Sequence, residues 1–331
     1  MRRMVRTAAA ATAAAALIAG APAACTAAAD TSGGRGVTVG FALADASDSY
    51  DSAELKALTD WFTARGGVTV VTMDAGGDST KQTSQLHQLA EQKVDGIFLQ
   101  ALDGNSVISG LQEAADAGIP VIGLDTEVSD MSYLTSFAAM NEYKAGQLAA
   151  QELLKDIPAG GMVLILDHPD SAAVTARIAG FTDRLTDPLA ESALEPAETP
   201  FTVAGESDGG GSRDAAKEAA KTLFGQYDGC TALIAGDDQM ALGAADAAQE
   251  AGLDGLKIYG FGGSPDMKKA MADGNAYLAG TAASSPVTLG QAAAEMMDGY
   301  LDGKKLNARY LIDPFMISAS GAGQYGTDGW Q

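Results

Sequence analysis

Histidine and cysteine are scarce in this sequence, with two of each among 331 residues. A four-ligand zinc site would need all four to converge, and two Cys at positions 25 and 230 are too few for a disulfide scaffold. Basic residues are also few: 21 Lys and Arg against 43 Asp and Glu give a formal net charge of −22. The small number of His and Cys leads us to expect no structural metal. The scarcity of basic residues leads us to expect no nucleic-acid partner, because phosphate binding depends on basic side chains.

Motifs for bound nucleotides and for hydrolysis are missing or incomplete. There is no Gly-x-Gly-x-x-Gly segment and no Walker-type phosphate loop, so we expect no cofactor. Residues 205–209 fit the Gly-x-Ser-x-Gly pattern of a hydrolase nucleophile. However, no His follows Ser207, and three glycines at 209–211 make a loose loop instead of a strained turn. The sequence therefore favours a protein that is not an enzyme.

The N-terminus has the three parts of a secretory signal peptide. Residues 1–6 are basic, residues 7–20 form an Ala-rich apolar run, and small residues precede Cys25. The apolar run is shorter than the roughly 20 residues that span a bilayer, which disfavours the alternative of an uncleaved membrane anchor. We predict that residues 1–24 are a signal peptide and that the mature protein is exported.

Cys25 follows small residues as in a lipoprotein signal, which implies lipidation of this Cys. The segment departs from that pattern at Pro22, where Leu is usual, so ordinary cleavage near Ala23 or Ala24 is the alternative. Residues 25–36 are small and polar, which predicts a flexible tether. The expected location is extracytoplasmic, either lipid-anchored at the cell membrane or in the periplasm.

From Val37 onward, short apolar runs alternate with segments of helical periodicity. Val37–Leu43 is such a run, and the next segment carries Leu55, Leu58 and Phe62 at helical spacing. This alternation predicts an α/β fold in which helices cover parallel sheets. A chain of 331 residues with 47% hydrophobic residues can form two domains, each with its own core.

Two units of this alternation resemble each other. Residues 95–125 and 231–262 each contain a strand, a helix ending in Ala-Gly and a second strand, about 135 positions apart. Ligands of parallel sheets bind beyond the carboxyl ends of the strands, so two such lobes would line one cleft. Asp125, Asp237 and Gly262 stand at these ends.

Four motifs resemble those of the ribose-type periplasmic sugar-binding proteins, in order and spacing, within about residues 37–317. The family patterns are Ile-Pro-Val-x-x-x-Asp, Arg-x-x-Gly-Phe, Asn/Asp-Asp-x-Met-Ala-x-Gly-Ala and Gly-Phe-Asp-Gly. The matching segments here are Ile119-Pro120-Val121-Ile122-Gly123-Leu124-Asp125, Arg177-Ile178-Ala179-Gly180-Phe181, Asp237-Asp238-Gln239-Met240-Ala241-Leu242-Gly243-Ala244 and Gly260-Phe261-Gly262-Gly263-Ser264-Pro265.

The resemblance implies a function and a fold class. Such proteins capture a sugar or related polyol between two lobes and deliver it to the permease of an ABC transporter, and we expect a monomer. The alternative is a sensory subunit that presents a small polar ligand to a membrane receptor. The implied fold is α/β, with two Rossmann-like lobes joined by a three-segment hinge in the type I periplasmic-binding architecture. Its expected parts are an N-terminal lobe of 37–138 plus 285–313 and a C-terminal lobe of 139–284 plus 314–331, with crossings near Ala138, Ser284 and Pro314.

The resemblance also implies which residues contact the ligand. Asp125 matches the acceptor of sugar hydroxyls, and Arg177 matches an arginine whose planar fork donates to ligand oxygens. Asp237 stands where the family has Asn or Asp. In the first loop, Tyr50 would offer an aromatic face and Asp48 a polar group. The alternative for Asp125 is a role as a helix N-cap or turn residue, for Asp237 a cap of the following helix, and for Arg177 a surface ion pair.

Three departures from the family pattern bear on the choice of ligand. Gly262 replaces an Asp at the cleft, and Ser284 stands where ribose binders have Gln. The loop at 206–211 replaces a turn with an aromatic residue, which predicts loss of the second stacking face. A pentose or hexose is the first expectation, and a polyol, cyclitol or other small polar molecule is the alternative.

Overall fold

The computed structural model describes residues 36–186 and 201–331. The predicted signal peptide, Cys25 and all of the predicted tether except Gly36 lie outside the described residues. Among the residues that are described, no helix is both long and apolar enough to cross a membrane.

Strands and helices alternate along the described chain. The strands are β1 Val37–Leu43, β2 Val68–Asp74, β3 Gly96–Gln100, β4 Val121–Leu124, β5 Ser136–Met140, β6 Gly161–Asp167, β7 Phe201–Asp208, β8 Ala232–Ala235, β9 Lys257–Gly262, β10 Leu278–Ala283, β11 Arg309–Ile312 and β12 Phe315–Ser318. The α-helices are α1 Ser49–Arg65, α2 Ser79–Gln92, α3 Ile108–Asp116, α4 Glu142–Asp156, α5 Ala172–Thr186, α6 Arg213–Gln226, α7 Asp238–Ala251, α8 Pro265–Ala272 and α9 Pro286–Leu301. Two short 3₁₀ helices cover Met131–Tyr133 and Ala319–Tyr325.

The first sheet is parallel throughout, with strand order β11-β5-β4-β3-β1-β2. Successive side chains of a strand point to opposite faces, so Phe41 and Ala42 enter different cores. Phe41 packs with residues of α1 and α9, whereas Ala42 packs with residues of α2 and α3. Helices therefore cover both faces of this sheet.

The second sheet has strand order β12-β10-β9-β8-β6-β7. Its strands are parallel except for β12, which runs antiparallel to β10. One large hydrophobic core joins this sheet to α4, α5, α6, α7 and α8. The prediction of two helix-covered, largely parallel sheets is confirmed.

Three short segments carry the chain between the two sheets. The first follows Met140 at the end of β5, the second joins β10 to α9, and the third joins β11 to β12. Ser284 and Pro314 lie in the second and third segments. The predicted first crossing at Ala138 falls inside β5, which stays in the first sheet up to Met140. The lobe boundaries stay a prediction.

Candidate functional site

A cavity of about 450 Å³ lies at the carboxyl ends of the strands, and both sheets contribute to its walls. Its volume is within the range of small-molecule sites. The first-sheet side supplies the loop after β1 and the start of α1, and the second-sheet side supplies the ends of β8 and β9. The lining residues are Asp48, Ser49, Tyr50, Asp237, Asp238, Gln239, Phe261, Gly262, Ser264, Pro265, Asp266 and Trp330.

Asp48 is the N-cap of α1. Its Oδ1 accepts hydrogen bonds from the backbone N–H groups of Tyr50 at 2.7 Å and Asp51 at 3.1 Å. These are two of the N–H groups that a helix start leaves without an intrahelical partner. Asp48 therefore lies at the cavity and also has a capping role that the sequence did not predict, and the cap holds Tyr50 at the cavity wall.

Behind Tyr50 lies a group of buried polar side chains. The Tyr50 hydroxyl lies 3.4 Å from Asp125 Oδ1, as donor to that carboxyl. Asp125 has a φ of 56°, a left-handed conformation that is uncommon without glycine and that concentrates at functional sites. Glu54, on the buried face of α1, hydrogen-bonds to Asp125 and accepts a hydrogen bond from Gln100 Nε2.

The carboxyl groups of Glu54 and Asp125 lie next to each other in a buried environment. Glu54 Oε1 and Asp125 Oδ2 are both buried, and neither has an N–H or hydroxyl donor within reach. Burial, and then repulsion by Asp125, raises the pKa of Glu54 well above its ordinary value. Burial likewise raises the pKa of Asp125 to about 6, although the hydrogen bond from Glu54 opposes that rise. A raised pKa favours the protonated form of Glu54, whose hydroxyl can then donate to Asp125, and Asp125 also accepts from the Tyr50 hydroxyl.

Arg177 is fixed by a two-pronged, largely buried ion pair with Glu142, whereas the sequence offered only a surface ion pair without a named partner. Its Nε and Nη2 donate to the two oxygens of Glu142 at 2.6 and 3.0 Å, and its Nη1 donates to the Gly236 carbonyl at 3.0 Å. The guanidinium also lies 5.7 Å from the ring centre of Phe261, which lines the cavity. An arginine side chain has five N–H donors, and these contacts use three of them. Two N–H groups therefore remain available to a ligand.

Close packing of α4 against α5 brings Glu142 to Arg177. A Cβ atom added at Gly146 would lie 1.9 Å from the Arg177 carbonyl oxygen, and one at Gly180 would lie 2.0 Å from the Tyr143 carbonyl oxygen. Only glycine permits this approach of the two backbones at these positions. Gly180 belongs to the Arg-x-x-Gly-Phe motif, so that motif also shapes the local packing.

Asp237 and Asp238 follow β8 and have different environments. Asp237 caps α7, its Oδ1 accepting from the Met240 N–H at 2.7 Å, and it lines the cavity. Asp238 is buried and accepts hydrogen bonds from the Ser264 N–H at 2.6 Å and the Thr281 hydroxyl at 2.7 Å. Asp238, at the start of α7, is therefore tied to the N-cap of α8 and to β10.

Gly262 has a backbone conformation that suits glycine. Its φ is 129°, and a Cβ atom added there would lie 3.2 Å from Asp238 Oδ2. The departure from Asp at this position therefore fits the local structure. Ser284 is buried beside it, its N–H donating to the Gly262 carbonyl at 3.0 Å, and it is not among the cavity-lining residues.

The seven predicted site residues form one connected region. Asp48, Tyr50, Asp237 and Gly262 line the cavity, whereas Asp125, Arg177 and Ser284 contact lining residues or their immediate neighbours. Whether each contacts a ligand stays a prediction. The loop predicted at 206–211 differs, because β7 continues to Asp208. The lining residues and buried partners that the sequence did not single out for the site are Ser49, Glu54, Glu142, Asp238, Gln239, Phe261, Ser264, Pro265, Asp266 and Trp330.

Another depression, of about 530 Å³, lies beside Thr135, Tyr300 and residues 303–306. Thr135 precedes β5, so this depression lies at the amino end of the first sheet, away from the strand ends where ligands of such folds bind. Across residues 36–186 and 201–331, no group of three or more His, Cys, Asp or Glu is arranged to hold a metal ion. The cavity at the carboxyl ends is therefore the candidate site.

The fold and this cavity define a family of binding proteins. Residues 39–305 match the model of the periplasmic binding protein domain, and the chain belongs to that family. The match confirms the predicted family, which consists of binding proteins and not of enzymes, and it implies an extracytoplasmic location.

Named relatives and solved structures agree with this assignment. The ribose import binding protein of Bacillus subtilis (strain 168) is 27% identical over 241 residues, which are 72% of this chain and 74% of the relative. The fructose import binding protein of Bifidobacterium longum (strain NCC 2705) is 26% identical over 294 residues, which are 86% and 85%. The binding protein of the arabinose ABC transporter from Shewanella sp. ANA-3, solved with α- and β-L-arabinofuranose, superposes with a TM-score of 0.73 at 25% identity, covering 87% of this chain and 94% of that one.

Proposed function

We propose that this protein binds a sugar or related polyol in the cavity of about 450 Å³ between its two sheets and delivers it to an ABC permease. The observation that carries the proposal is that both sheets supply walls of a single cavity at the carboxyl ends of their strands. A ligand that touches both walls favours the arrangement in which they are close, so binding shifts the protein towards a closed form.

The chemistry of the cavity suits a neutral polyhydroxylated ligand. Asp48 and Asp237 offer carboxylate oxygens that accept hydrogen bonds from hydroxyl groups, with Asp125 directly behind Tyr50. The rings of Tyr50 and Trp330 offer apolar faces to C–H groups. The names of the relatives support the same class, since they are import binding proteins for ribose and fructose and a binding protein solved with arabinofuranose.

A thermal-shift panel of D-ribose, D-fructose, L-arabinose, D-allose and myo-inositol tests this proposal. A ligand present at about 100 times its Kd stabilises the native state by about 2.7 kcal/mol, so at least one should raise the Tm by roughly 5 °C. The same ligand should reduce the radius of gyration in small-angle scattering. Citrate is the matched control, because an anion meets the carboxylates of the cavity and should leave the Tm unchanged.

Two results would contradict the proposal. If no member of the panel shifted the Tm or produced heat in calorimetry, the cavity would not be a sugar site. If a saturating sugar left the scattering curve unchanged, closure between the lobes would be wrong. Static light scattering on the same samples checks the proposal that the protein acts as a monomer, which is motivated by the fact that one chain supplies both cavity walls.

We also propose that the protein is exported with residues 1–24 as signal peptide and held at the membrane through a lipid on Cys25. The small residues before Cys25 motivate this proposal. Cys25→Ala should move the protein from the membrane fraction to the medium or periplasm and leave sugar binding intact. Cys230→Ala is the matched control and should leave the protein at the membrane. Mass spectrometry that finds an unmodified N-terminus at Ala24 or Cys25 would overturn lipidation.

A further inference from the structure

The segment 326–331 places an indole ring in the candidate site. Trp330 lines the cavity, and its ring meets Tyr50 edge to face, with ring centres 5.3 Å apart at an angle of 84°. Its Nε1 donates to the Ser49 hydroxyl at 3.3 Å. Both partners belong to the first turn of α1, on the first-sheet side. The segment itself follows β12 and the 3₁₀ helix Ala319–Tyr325, which pack on the second sheet.

A buried lysine fixes the segment on both sides of Trp330. Lys268, on α8, is fully buried, and its Nζ donates to the Gly329 carbonyl and to Gln331 Oε1, each at 2.6 Å. Burial lowers the pKa of Lys268, and these two oxygens compensate for the water that the ammonium has lost. Gln331 is also hydrogen-bonded to Ser285, at the segment between β10 and α9. The indole is therefore presented by an anchored backbone.

We propose that Trp330 is a ligand-contacting residue that supplies an aromatic wall of the cavity beside Tyr50, and that Lys268 is the residue that positions it. The inference rests on the proposed sugar-binding function and names a residue for that same site. The sequence predicts the loss of an aromatic stacking face at 206–211, and Trp330 supplies an aromatic ring from a distant part of the chain. Two rings nearly at right angles present one face and one edge to a ligand, which suits the apolar side of a sugar or cyclitol.

Because the chain has few tryptophans, the fluorescence of Trp330 can be measured separately. The chain has two tryptophans, Trp61 and Trp330, and Trp61 packs against Phe62 on α1 outside the cavity lining. In a Trp61→Phe variant, the emission therefore reports on Trp330. Titration with the panel sugar that gives the largest thermal shift should change this emission with the midpoint found by calorimetry. The emission of a Trp330→Phe variant, which keeps Trp61, should stay constant through the same titration.

Affinity measurements on matched variants distinguish the loss of a ligand contact from a defect in folding. Trp330→Leu should weaken binding of that sugar about tenfold or more, whereas the chemically identical Trp61→Leu should leave it within about twofold. Trp330→Phe keeps an aromatic ring, so its affinity should lie between those of Trp330→Leu and Trp61→Leu. This variant preserves the test if Trp330→Leu folds poorly. Lys268→Met in the Trp61→Phe background should shift the Trp330 emission to longer wavelength before any sugar is added and weaken binding, because the indole is no longer held.

The outcomes distinguish this inference from the function on which it rests. If calorimetry finds that no panel sugar binds the wild-type protein, the proposed function is wrong and the role of Trp330 falls with it. If a sugar binds but Trp330→Leu keeps full affinity, or if the Trp330 emission does not respond, this inference alone is overturned. Unchanged emission in Lys268→Met would overturn the positioning role of Lys268.

Discussion

Replacing Asp125 with Asn is expected to weaken sugar binding about ten- to a hundredfold while raising the stability of the unliganded protein at neutral pH. A hydrogen bond to a charged group contributes roughly 1.5–3 kcal/mol, which corresponds to that change in Kd. The stability effect has the opposite sign because burial raises the folded-state pKa of Asp125 to about 6 from an ordinary value of 3.8. Calorimetry and thermal unfolding at pH 7.5 measure the two effects.

The pH dependence of both effects follows from the raised pKa. The contribution of Asp125 to stability is complete below about pH 4 and is lost as the pH rises through about 6, because ionisation is easier in the unfolded chain. Asp125→Asn should therefore unfold at a higher Tm than the wild type at pH 7.5 and at a similar Tm near pH 4. The wild-type affinity should fall below about pH 6 as the carboxylate is protonated, and this dependence should be absent in the variant.

A surface carboxyl provides the control for the loss of one charge. Asp116 is exposed at the end of α3, and Asp116→Asn should leave both the affinity and its pH dependence as in the wild type. If Asp125→Asn bound the sugar as tightly as the wild type at pH 7.5, Asp125 would not accept a hydrogen bond from the ligand. An unchanged pH dependence in Asp125→Asn would assign the titration to another group.

The fold was predictable because its signals are local and repeated. Strand β1 and helix α1 follow from a run of apolar residues and from the helical spacing of Leu58 and Phe62, which enter the core as expected. The region from Arg309 to Ser318 was harder, because Pro314 separates two four-residue strands that join different sheets. The resemblance implies the crossing near Pro314, but nothing local in the sequence shows that the residues after it form an antiparallel partner of β10.

The site was predictable where one residue ends a strand or caps a helix. Asp48 and Asp237 follow strands and cap helices, so position along the chain places them at the cavity. Glu142 and Trp330 carry no such signal, because each acquires its role from a partner far away in sequence: Arg177 for the first and Tyr50 for the second. The rarity of tryptophan in a chain with two is the one clue that could have drawn attention to Trp330.

Arg177→Met is expected to lower the free energy of unfolding by about 2–4 kcal/mol, because it leaves the Glu142 carboxylate largely buried without its partner. The pair Arg309–Glu127 is the matched control, since its arginine also joins a carboxylate and lies over a phenylalanine ring, 5.5 Å from the centre of Phe137. The side chains of that control pair are 48% and 55% exposed, against 13% and 20% for Arg177 and Glu142. Arg309→Met should therefore cost less than about 1 kcal/mol.

A double-mutant cycle shows whether the loss in Arg177→Met comes from the ion pair. Glu142→Gln removes the negative charge and keeps an oxygen that can accept from the guanidinium. Because each single variant leaves a partner uncompensated, Arg177→Met with Glu142→Gln should lose less stability than the sum of the two single losses, by about 1–3 kcal/mol. Urea unfolding of the unliganded proteins provides all three values. Additive losses, or an equal loss in Arg309→Met, would mean that Arg177 acts through packing on Phe261, and its place beside the cavity would then not depend on Glu142.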